Sequence, residues 1–434
     1  MRKAHDVWAC ERERLASVCS KRYPFEVGSE PLETKMGVVV LLPWLLRFLP
    51  TLIVGVVRSL FAPAVGFELE IHGRVEESLR SLGQLSPARW VGTGDLRTIV
   101  PYLLLSPRRL EYDRWWLRVP CCPARRDDPY ARATGAADDE ACALDVAWPA
   151  YRNENGPTFV ILHGLNGGSD DGYVGDLVAA ATARGSVAAV LVNRGLMDTP
   201  VRGTRALFHG ARTCDVGAAV DALSLSTRQP VVLVGFSMGA ILAANYAVKA
   251  GSRCPCAATV AISGSLCAAK TLEPCGDRSR RLWQPPLTAG LKQSFYLPNA
   301  RRLGSKVDPR RIQRCSTVPE FDEAFVCRVH GYPALRAYYD DMSAAGAGDE
   351  AGLAKFSNLG TPLLVLHAKD DPILPVEACL PDKIADASPH LTLLLTDVGG
   401  HVGWPVAPIA KHRWGFMVEA ALAFADAKVK EQTD

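Results

Sequence analysis

A serine flanked by glycines is the residue of this 434-residue chain best placed to do chemistry. Ser237 lies in GFSMG at 235–239, after the apolar run 231–234 and before the helical pattern 240–247. A G-x-S-x-G sequence between a strand and a helix is typical of a sharp turn that exposes a nucleophilic hydroxyl. We therefore predict that Ser237 is a nucleophile. The alternative is an ordinary turn in which the serine only caps the helix.

A serine hydroxyl attacks well only when a base takes its proton and a carboxylate orients that base. After a serine turn of this kind, the acid and then the histidine follow along the chain. Of the nine histidines, His401 lies in the glycine-rich stretch 399–403, just past the apolar run 391–395. We predict that His401 is the base, and the alternative is a histidine in a surface loop.

Two adjacent aspartates follow the preceding apolar run, 363–366. Neighbouring residues cannot both face the same imidazole, so only one of them can be the acid. Asp371 stands four residues before Pro375, a spacing typical of the acid turn, and we predict that Asp371 orients His401. Asp370 is the alternative acid. The aspartate that is not used would be a solvated charge or a turn cap.

Attack on an ester creates an oxyanion, which fixed backbone N–H groups must stabilise. We expect one N–H from Met238, at the start of a helix, and one from Leu165, in HGLNGG at 163–168. His163 itself is predicted to be structural and bonded to loop backbone, and Asp215 to cap a helix. Asp215 and the pair Asp170 and Asp171, which also predicts a helix start, have no supporting histidine nearby, so we expect no metal. Water completes ester hydrolysis, so we expect no cofactor.

Apolar runs alternate with helical patterns through most of the chain, which predicts a mostly parallel sheet covered by helices on both faces. More aromatic or alternating stretches at 115–118 and 143–148 predict antiparallel strands at its leading edge, joined by a long surface loop from Cys121 to Glu140. The predicted central strands are the apolar runs 158–162, 188–192, 231–234, 258–262, 363–366 and 391–395, which are followed by polar residues or glycines. The helical patterns include 172–184, 215–225 and 409–427.

Residues 265–358 interrupt this alternation with an aromatic-rich helical pattern. The segment falls between two predicted strands, on the sheet edge that carries the serine turn. We predict a helical lid over the site, and the alternative is a peripheral structural subdomain.

The N-terminal region lacks this alternation of apolar runs and helical patterns. Residues 1–35 are polar and predict a flexible tail, whereas 36–57 is a 22-residue apolar stretch, long enough as a helix for a bilayer core. Arg47 at its middle is costly there, and Pro43 and Pro50 favour a shallow dip. We expect an N-terminal membrane anchor, single-pass or monotopic, in an endomembrane such as the endoplasmic reticulum. A buried helix of a water-soluble protein is the alternative.

Composition excludes some classes of function. The net charge is +3 and no basic block occurs, so we expect no nucleic-acid partner. The 13 cysteines lack the spacing of a zinc site, and we predict mostly free thiols in a reducing compartment. No obligate protein partner is evident.

Four segments resemble the α/β-hydrolase superfamily: HGLNGGSDDGYV at 163–174, GFSMGA at 235–240, HAKDDPILP at 367–375 and GGHVGW at 399–404. More narrowly, the chain looks like the branch of YheT-type esterases, plant embryogenesis-associated hydrolases and membrane-anchored abhydrolase-domain lipases. Segments typical of that branch are GDLRT at 94–98, YDR at 112–114, VPEFDE at 318–323 and GYP at 331–333. The resemblance covers roughly 68–426.

The resemblance implies an α/β-hydrolase domain over 68–430, a triad of Ser237, Asp371 and His401, and hydrolysis of acyl lipids or short-chain esters. We expect acylglycerols or phospholipids as substrates at a membrane surface. An acyltransferase is one alternative, although the H-x-x-x-x-D motif of some relatives is not matched, because Asp371 follows His367 by four residues. A non-catalytic, membrane-tethered binding protein is the other.

Overall fold

One ten-stranded sheet organises the chain. The computed structural model describes residues 8–22, 66–74, 77–119, 140–201, 207–272, 276–384 and 386–433. The strands, in chain order, are β1 Cys19–Ser20, β2 Leu69–Gly73, β3 Asp113–Val119, β4 Glu140–Ala147, β5 Thr158–Leu162, β6 Ala188–Val192, β7 Val231–Phe236, β8 Cys256–Ile262, β9 Leu363–Ala368 and β10 Leu391–Thr396.

Strand order across the sheet is β1-β3-β4-β6-β5-β7-β8-β9-β10-β2. The six strands from β6 to β10 are parallel to one another, and β1, β3, β4 and β2 pair antiparallel at the two sides. The predicted mostly parallel sheet is confirmed, and so is its antiparallel leading edge.

Helices connect the strands and cover both faces. They are α1 Ala9–Val18, α2 Glu77–Arg80, α3 Gly94–Leu104, α4 Gly172–Ala183, α5 Thr213–Thr227, α6 Met238–Ala250, α7 Gly276–Leu282, α8 Gln284–Gly290, α9 Leu297–Leu303, α10 Pro309–Arg314, α11 Val318–Ala324, α12 Val326–His330, α13 Leu335–Met342, α14 Glu350–Ala354, α15 Pro381–Ile384, α16 Ile409–His412 and α17 Gly415–Thr433.

Each central strand is buried on both sides, which explains why the strands are apolar without a break. In β5, Val160 and Leu162 belong to the core beneath α5 and α6, whereas Phe159 and Ile161 belong to the core beneath α4 and α17. Because the central strands are parallel, the loops that leave β5, β7, β9 and β10 all emerge at one edge, where ligands bind in open sheets of this kind.

A helical insertion fills the chain between β8 and β9. It contains α7 to α14 and a π-helical stretch, Leu291–Tyr296, between α8 and α9. Most of its aromatic side chains belong to the same core as α5 and α6, and the rings of Phe321 and Phe325 stack 5.2 Å apart. The segment is therefore packed onto the sheet layer at the edge that carries the serine turn.

The N-terminal region differs from the flexible tail expected over 1–35. Residues 9–18 form α1, and β1 pairs with β3 at the sheet edge. Trp8 is buried and its indole N–H donates to the carbonyl of Pro149 at 2.8 Å, while Leu15 is buried in the core that includes α5. Glu11 is also buried and pairs with Arg152. Because the buried contacts are partly polar and few of them are apolar, the sequence shows no apolar period.

The C-terminal helical region is divided into two helices, and two predicted segments cannot be compared with the structure. The helix predicted over 409–427 is broken at Arg413, whose φ is 50°, so α16 and α17 are separate. The apolar stretch 36–57 and nearly all of the predicted loop from Cys121 to Glu140 lie outside the described residues. Within the described ranges, no helix combines the length and the apolar character that crossing a bilayer requires.

Candidate active site

Ser237 occupies a strained turn between β7 and α6, with φ 53° and ψ −115°. Its backbone N–H donates to the carbonyl of Ile262 at 2.9 Å, which fixes the turn against β8. A Cβ on Gly235 would lie 2.1 Å from the Gly239 carbonyl oxygen, and a Cβ on Gly239 would lie 2.3 Å from that of Leu162. Only glycine fits at either position, so the turn requires both.

His401 joins Ser237 to Asp371. Its Nε2 lies 2.8 Å from Ser237 Oγ, and its Nδ1 lies 2.7 Å from Asp371 Oδ2. A carboxylate only accepts hydrogen bonds, so the Nδ1 of His401 carries the proton and Nε2 is left to accept from the serine hydroxyl. The structure therefore brings together the three residues that the sequence singles out.

Asp371 is buried yet held in its charged form. Burial opposes its ionisation, but the imidazole of His401, its hydrogen bond and the nearby His367 together bring the pKa of Asp371 below its usual value. Its other oxygen accepts the N–H groups of Ile373 and Leu374 at 2.8 and 2.9 Å. His367 is fully buried, 3.9 Å from Asp371, and its ring contacts the Leu374 carbonyl.

Asp370, the alternative acid, has a different position. One of its oxygens accepts the backbone N–H groups of Gly399 and Gly400, both at 2.8 Å, and the other pairs with Arg97 at 2.8 Å. Asp370 therefore holds the backbone of the loop that carries His401, and it is neither a solvated charge nor a cap of its own turn.

Helix α3 supports the same loop. The Thr98 hydroxyl oxygen accepts the backbone N–H of His401 at 2.8 Å and donates to the Gly94 carbonyl at 2.7 Å. A Cβ on Gly94 would lie 1.8 Å from the carbonyl oxygen of Asp370, so glycine allows α3 to approach the acid turn. The sequence marked GDLRT at 94–98 only as a branch-specific segment, and these roles were not predicted.

The same helix contacts the insertion. The Trp283 indole N–H donates to the Asp95 carboxylate at 2.7 Å, and both side chains are buried. Asn166, in the loop after β5, also reaches the insertion through a hydrogen bond to the Leu287 carbonyl at 3.4 Å.

Two backbone N–H groups beside Ser237 are available to a ligand. Among the described residues, neither Leu165 nor Met238 has an acceptor for its backbone N–H, and both residues line the pocket that contains Ser237. The loop is brought close by Gly164, where a Cβ would lie 3.4 Å from the Cβ of Ser237. The Gly164 N–H is already used, since it donates to the Tyr173 hydroxyl at 2.9 Å.

The prediction for His163 is confirmed and that for Asp215 is wrong. The two ring nitrogens of His163 contact the Gly164 carbonyl at 2.8 Å and the Asn193 N–H at 3.2 Å, and burial lowers its pKa. Asp215 lies inside α5, where it forms a buried ion pair with Arg194 at 2.6 Å instead of capping the helix.

A pocket lies beside Ser237 and His401, with a volume of about 680 Å³ that includes the open solvent at its mouth. The sheet-edge loops and α6 form one wall. The insertion forms the other, with Ala268, Thr271, Gln284, Leu287, Val318, Pro319, Asp322, Tyr339 and Met342. The sequence marked 318–323 only as a branch-specific segment and assigned none of these nine residues to the site. In the part of the chain that the structure describes, no group of three or more His, Cys, Asp or Glu residues is placed to hold a metal.

The sequence is similar to those of known proteins. Residues 157–406 match the α/β-hydrolase fold family. The chain is 27% identical over 333 residues to the YheT protein of Escherichia coli strain K12, which covers 75% of this chain and 88% of that protein.

Two eukaryotic relatives match over a shorter length. Phospholipase ABHD3 of Mus musculus is 30% identical over 57% of this chain and 60% of its own length. Monoacylglycerol lipase of Saccharomyces cerevisiae is 29% identical over 57% of this chain and 55% of its own length. The chain thus spans less than two thirds of the length of these two relatives.

Proposed function

The chain belongs to the α/β-hydrolase family, in its YheT-like branch, and from that premise we propose that it is a serine hydrolase that cleaves carboxylic esters. The observation that carries the proposal is the continuous hydrogen-bond relay from Ser237 through His401 to Asp371. A serine hydroxyl in a pocket, an imidazole whose Nε2 can accept its proton and a buried carboxylate on the other ring nitrogen are the parts that acyl transfer to a serine needs.

In the proposed first step, Ser237 Oγ attacks the acyl carbon while its proton passes to Nε2 of His401. The carbonyl oxygen becomes an oxyanion, which the unused N–H groups of Leu165 and Met238 would stabilise. Asp371 stabilises the imidazolium that forms. When the tetrahedral intermediate collapses, His401 gives its proton to the departing alcohol and the acyl group stays on Ser237.

In the second step, water takes the place of the alcohol. His401 removes a proton from the water as it attacks the acyl-enzyme, and then returns a proton to Ser237 Oγ as the carboxylic acid leaves. Every proton transfer uses the same imidazole, so the chemistry requires no cofactor.

The substrate class that we propose is an acyl lipid, either an acylglycerol or a phospholipid. Ten of the sixteen residues that line the pocket are apolar, which suits an acyl chain. The insertion supplies more than half of the lining and would act as a lid that excludes water from the acyl group. The names of the mouse and yeast relatives, a phospholipase and a monoacylglycerol lipase, support both options.

We also propose that residues 36–57 hold the chain at a membrane, where such substrates occur. The support is the apolar sequence alone. Deletion of 36–57 should release the chain from the membrane pellet in a fractionation experiment, and retention in the pellet would contradict the proposal.

A fluorophosphonate probe tests the ester hydrolase directly, since it labels only an activated serine. We expect the full chain to be labelled, and both labelling and hydrolysis of a p-nitrophenyl octanoate substrate to be lost in Ser237→Ala. Ser263→Ala is not a suitable control, because the Ser263 hydroxyl bonds to Val402 next to His401. Ser17→Ala, on the exposed side of α1, is suitable. Failure of the wild-type chain to be labelled would refute the proposal.

A further inference from the structure

One ionisable side chain in the pocket is not used by the proposed mechanism. Asp322 lies on α11 and lines the same pocket as Ser237 and His401, although its exposed fraction is only 6%. Carboxylates are rarely buried without a cation or several donors, since desolvation of the charge is costly. Its presence in a mostly apolar cavity therefore needs an explanation.

The contacts of Asp322 are incomplete. The Tyr339 hydroxyl donates to Oδ2 at 3.0 Å, and this is the one hydrogen bond that its carboxyl group makes among the described residues. Burial raises the pKa of Asp322 to about 7, and the hydrogen bond from Tyr339 opposes that rise only in part. The second oxygen, Oδ1, has no protein partner in the described chain, so it is the acceptor that Asp322 can offer to a ligand in the pocket that it lines.

The remaining lining indicates what that ligand is. None of the described residues that line the pocket is Lys or Arg, so a phosphate group there would have no cation to pair with and would face Asp322. A carboxylate next to a phosphate is unfavourable, and more so in a site with little water. A neutral hydroxyl, by contrast, can donate to Oδ1 and accept from neighbouring donors.

We propose that Asp322 and Tyr339 form a polar subsite that binds a free hydroxyl of the ester substrate and so selects neutral, hydroxyl-bearing esters such as monoacylglycerols over phosphate-bearing lipids. The inference rests on the proposed ester hydrolase function. It names a residue pair that decides between the two substrate classes left open there.

The experiment compares esters with the same acyl group, all below the concentration at which they form micelles. 1-Octanoylglycerol carries two free hydroxyls, propyl octanoate has the same three-carbon alcohol without them, and 1-octanoylglycerol 3-phosphate adds an anion. Wild-type chain should show a kcat/KM for octanoylglycerol about 10–100-fold above that for propyl octanoate, the range expected for a buried hydrogen bond to a charged or partly charged acceptor. The phosphate ester should be the poorest of the three.

Asp322→Leu should reduce the ratio of the kcat/KM values for octanoylglycerol and propyl octanoate by about 10–100-fold, and Asp322→Asn, which keeps an acceptor oxygen, should retain most of the ratio. Glu323→Leu is the matched control, because Glu323 is the next residue of α11 but pairs with Arg311 at the surface. Thermal unfolding of each variant checks that it is folded. If Asp322→Leu is unfolded, Tyr339→Phe takes its place: it removes only the hydroxyl that bonds to Asp322 and should also reduce the ratio, whereas Asp322→Asn should not.

Three outcomes would overturn the inference. One is a wild-type ratio near one, another is an equal loss on both neutral esters in Asp322→Leu, and the third is a preference for octanoylcholine, which would indicate a cation subsite. These outcomes are separate from failure of the proposed function. In that case, the wild-type chain would hydrolyse none of the esters and would not react with the fluorophosphonate.

Discussion

Asp370 and Asp371 are consecutive residues whose carboxylates hold two different parts of one loop. Asp371 bonds to the ring of His401, and Asp370 bonds to the backbone N–H groups of Gly399 and Gly400, just before it. The pair therefore fixes both the imidazole and the chain that carries it, and the two roles can be separated by mutation.

Asp371→Asn should lower kcat by about 10⁴-fold, because an amide favours the wrong tautomer of His401. Asp370→Asn should lower kcat by only about 10–100-fold. It removes the ion pair with Arg97 and displaces the loop slightly, but an amide oxygen can still accept the two N–H groups. Steady-state kinetics on p-nitrophenyl octanoate measure both, and equal losses would mean that the roles of the two aspartates are not distinct.

Thr98→Val should lower kcat by about 10-fold with little change in KM. The hydroxyl of Thr98 accepts the backbone N–H of His401, and valine leaves that N–H without a partner while keeping the shape of the side chain. Thr98→Ser should restore most of the activity, and a failure of serine to do so would point to lost packing of the methyl group instead.

Met238→Ala should retain kcat within about 10-fold of the wild-type value, because only its backbone N–H is expected to contact the oxyanion. Ser237→Ala should lose at least about 10³-fold. The two variants differ by one position in the chain, so each controls for disruption of the turn by the other. A similar loss in both would contradict the oxyanion assignment.

The residues at the ends of the strands could be predicted from sequence because each belongs to a short local pattern. Ser237 has glycines on both sides, His401 follows a glycine pair, and Asp371 precedes a proline at a fixed distance. Parallel strands then bring them to one edge whatever the details of packing.

The supporting residues could not be predicted, because their partners are far away in the chain. Arg97 and Asp370 are 273 residues apart, and Thr98 and His401 are 303 apart. Asp322 could not be identified for a related reason. Its proposed role depends on which face of α11 lines the pocket, and the sequence VPEFDE does not determine that orientation. The short helix α1 likewise depends on contacts with Pro149 and α5, not on its own pattern.

Asp322→Asn should stabilise the chain at pH 8 by about 1–4 kcal/mol, because it removes a buried carboxyl whose ionisation opposes folding. The pKa of Asp322 is about 7 when folded, above the value of about 4 expected in the unfolded chain. Between these two pH values the folded state binds more protons than the unfolded chain. The contribution of Asp322 to the free energy of unfolding of the wild type is therefore fully present below about pH 4 and is lost as the pH rises through 7.

Chemical denaturation at a series of pH values measures this effect. The gain in the free energy of unfolding of Asp322→Asn over wild type should grow from pH 4 to pH 8 and level off above that. A gain that is constant with pH would mean that the substitution acts through packing or hydrogen bonding and not through the charge.

Trp8→Ala should lower the free energy of unfolding by about 3–5 kcal/mol, the usual effect of removing a buried tryptophan. Trp8 is 2% exposed, packs against Trp148 and bonds to Pro149. Cys10→Ala, at an exposed position of α1, is the control and should change stability by no more than about 0.5 kcal/mol. Equal stability of Trp8→Ala and wild type would mean that α1 is not part of the cooperative fold.

The placement of β1 and β2 in one sheet restricts membrane topology. β1 lies at one edge and β2 at the other, and the apolar stretch 36–57 falls between them in the chain. A folded sheet cannot be divided by a bilayer, so both flanks of that stretch lie on the same side of any membrane to which it attaches. A single crossing would place β1 and β2 in different compartments. Because 22 residues are too few for two crossings, attachment through 36–57 is compatible with this sheet only if the chain enters and leaves the bilayer through the same leaflet.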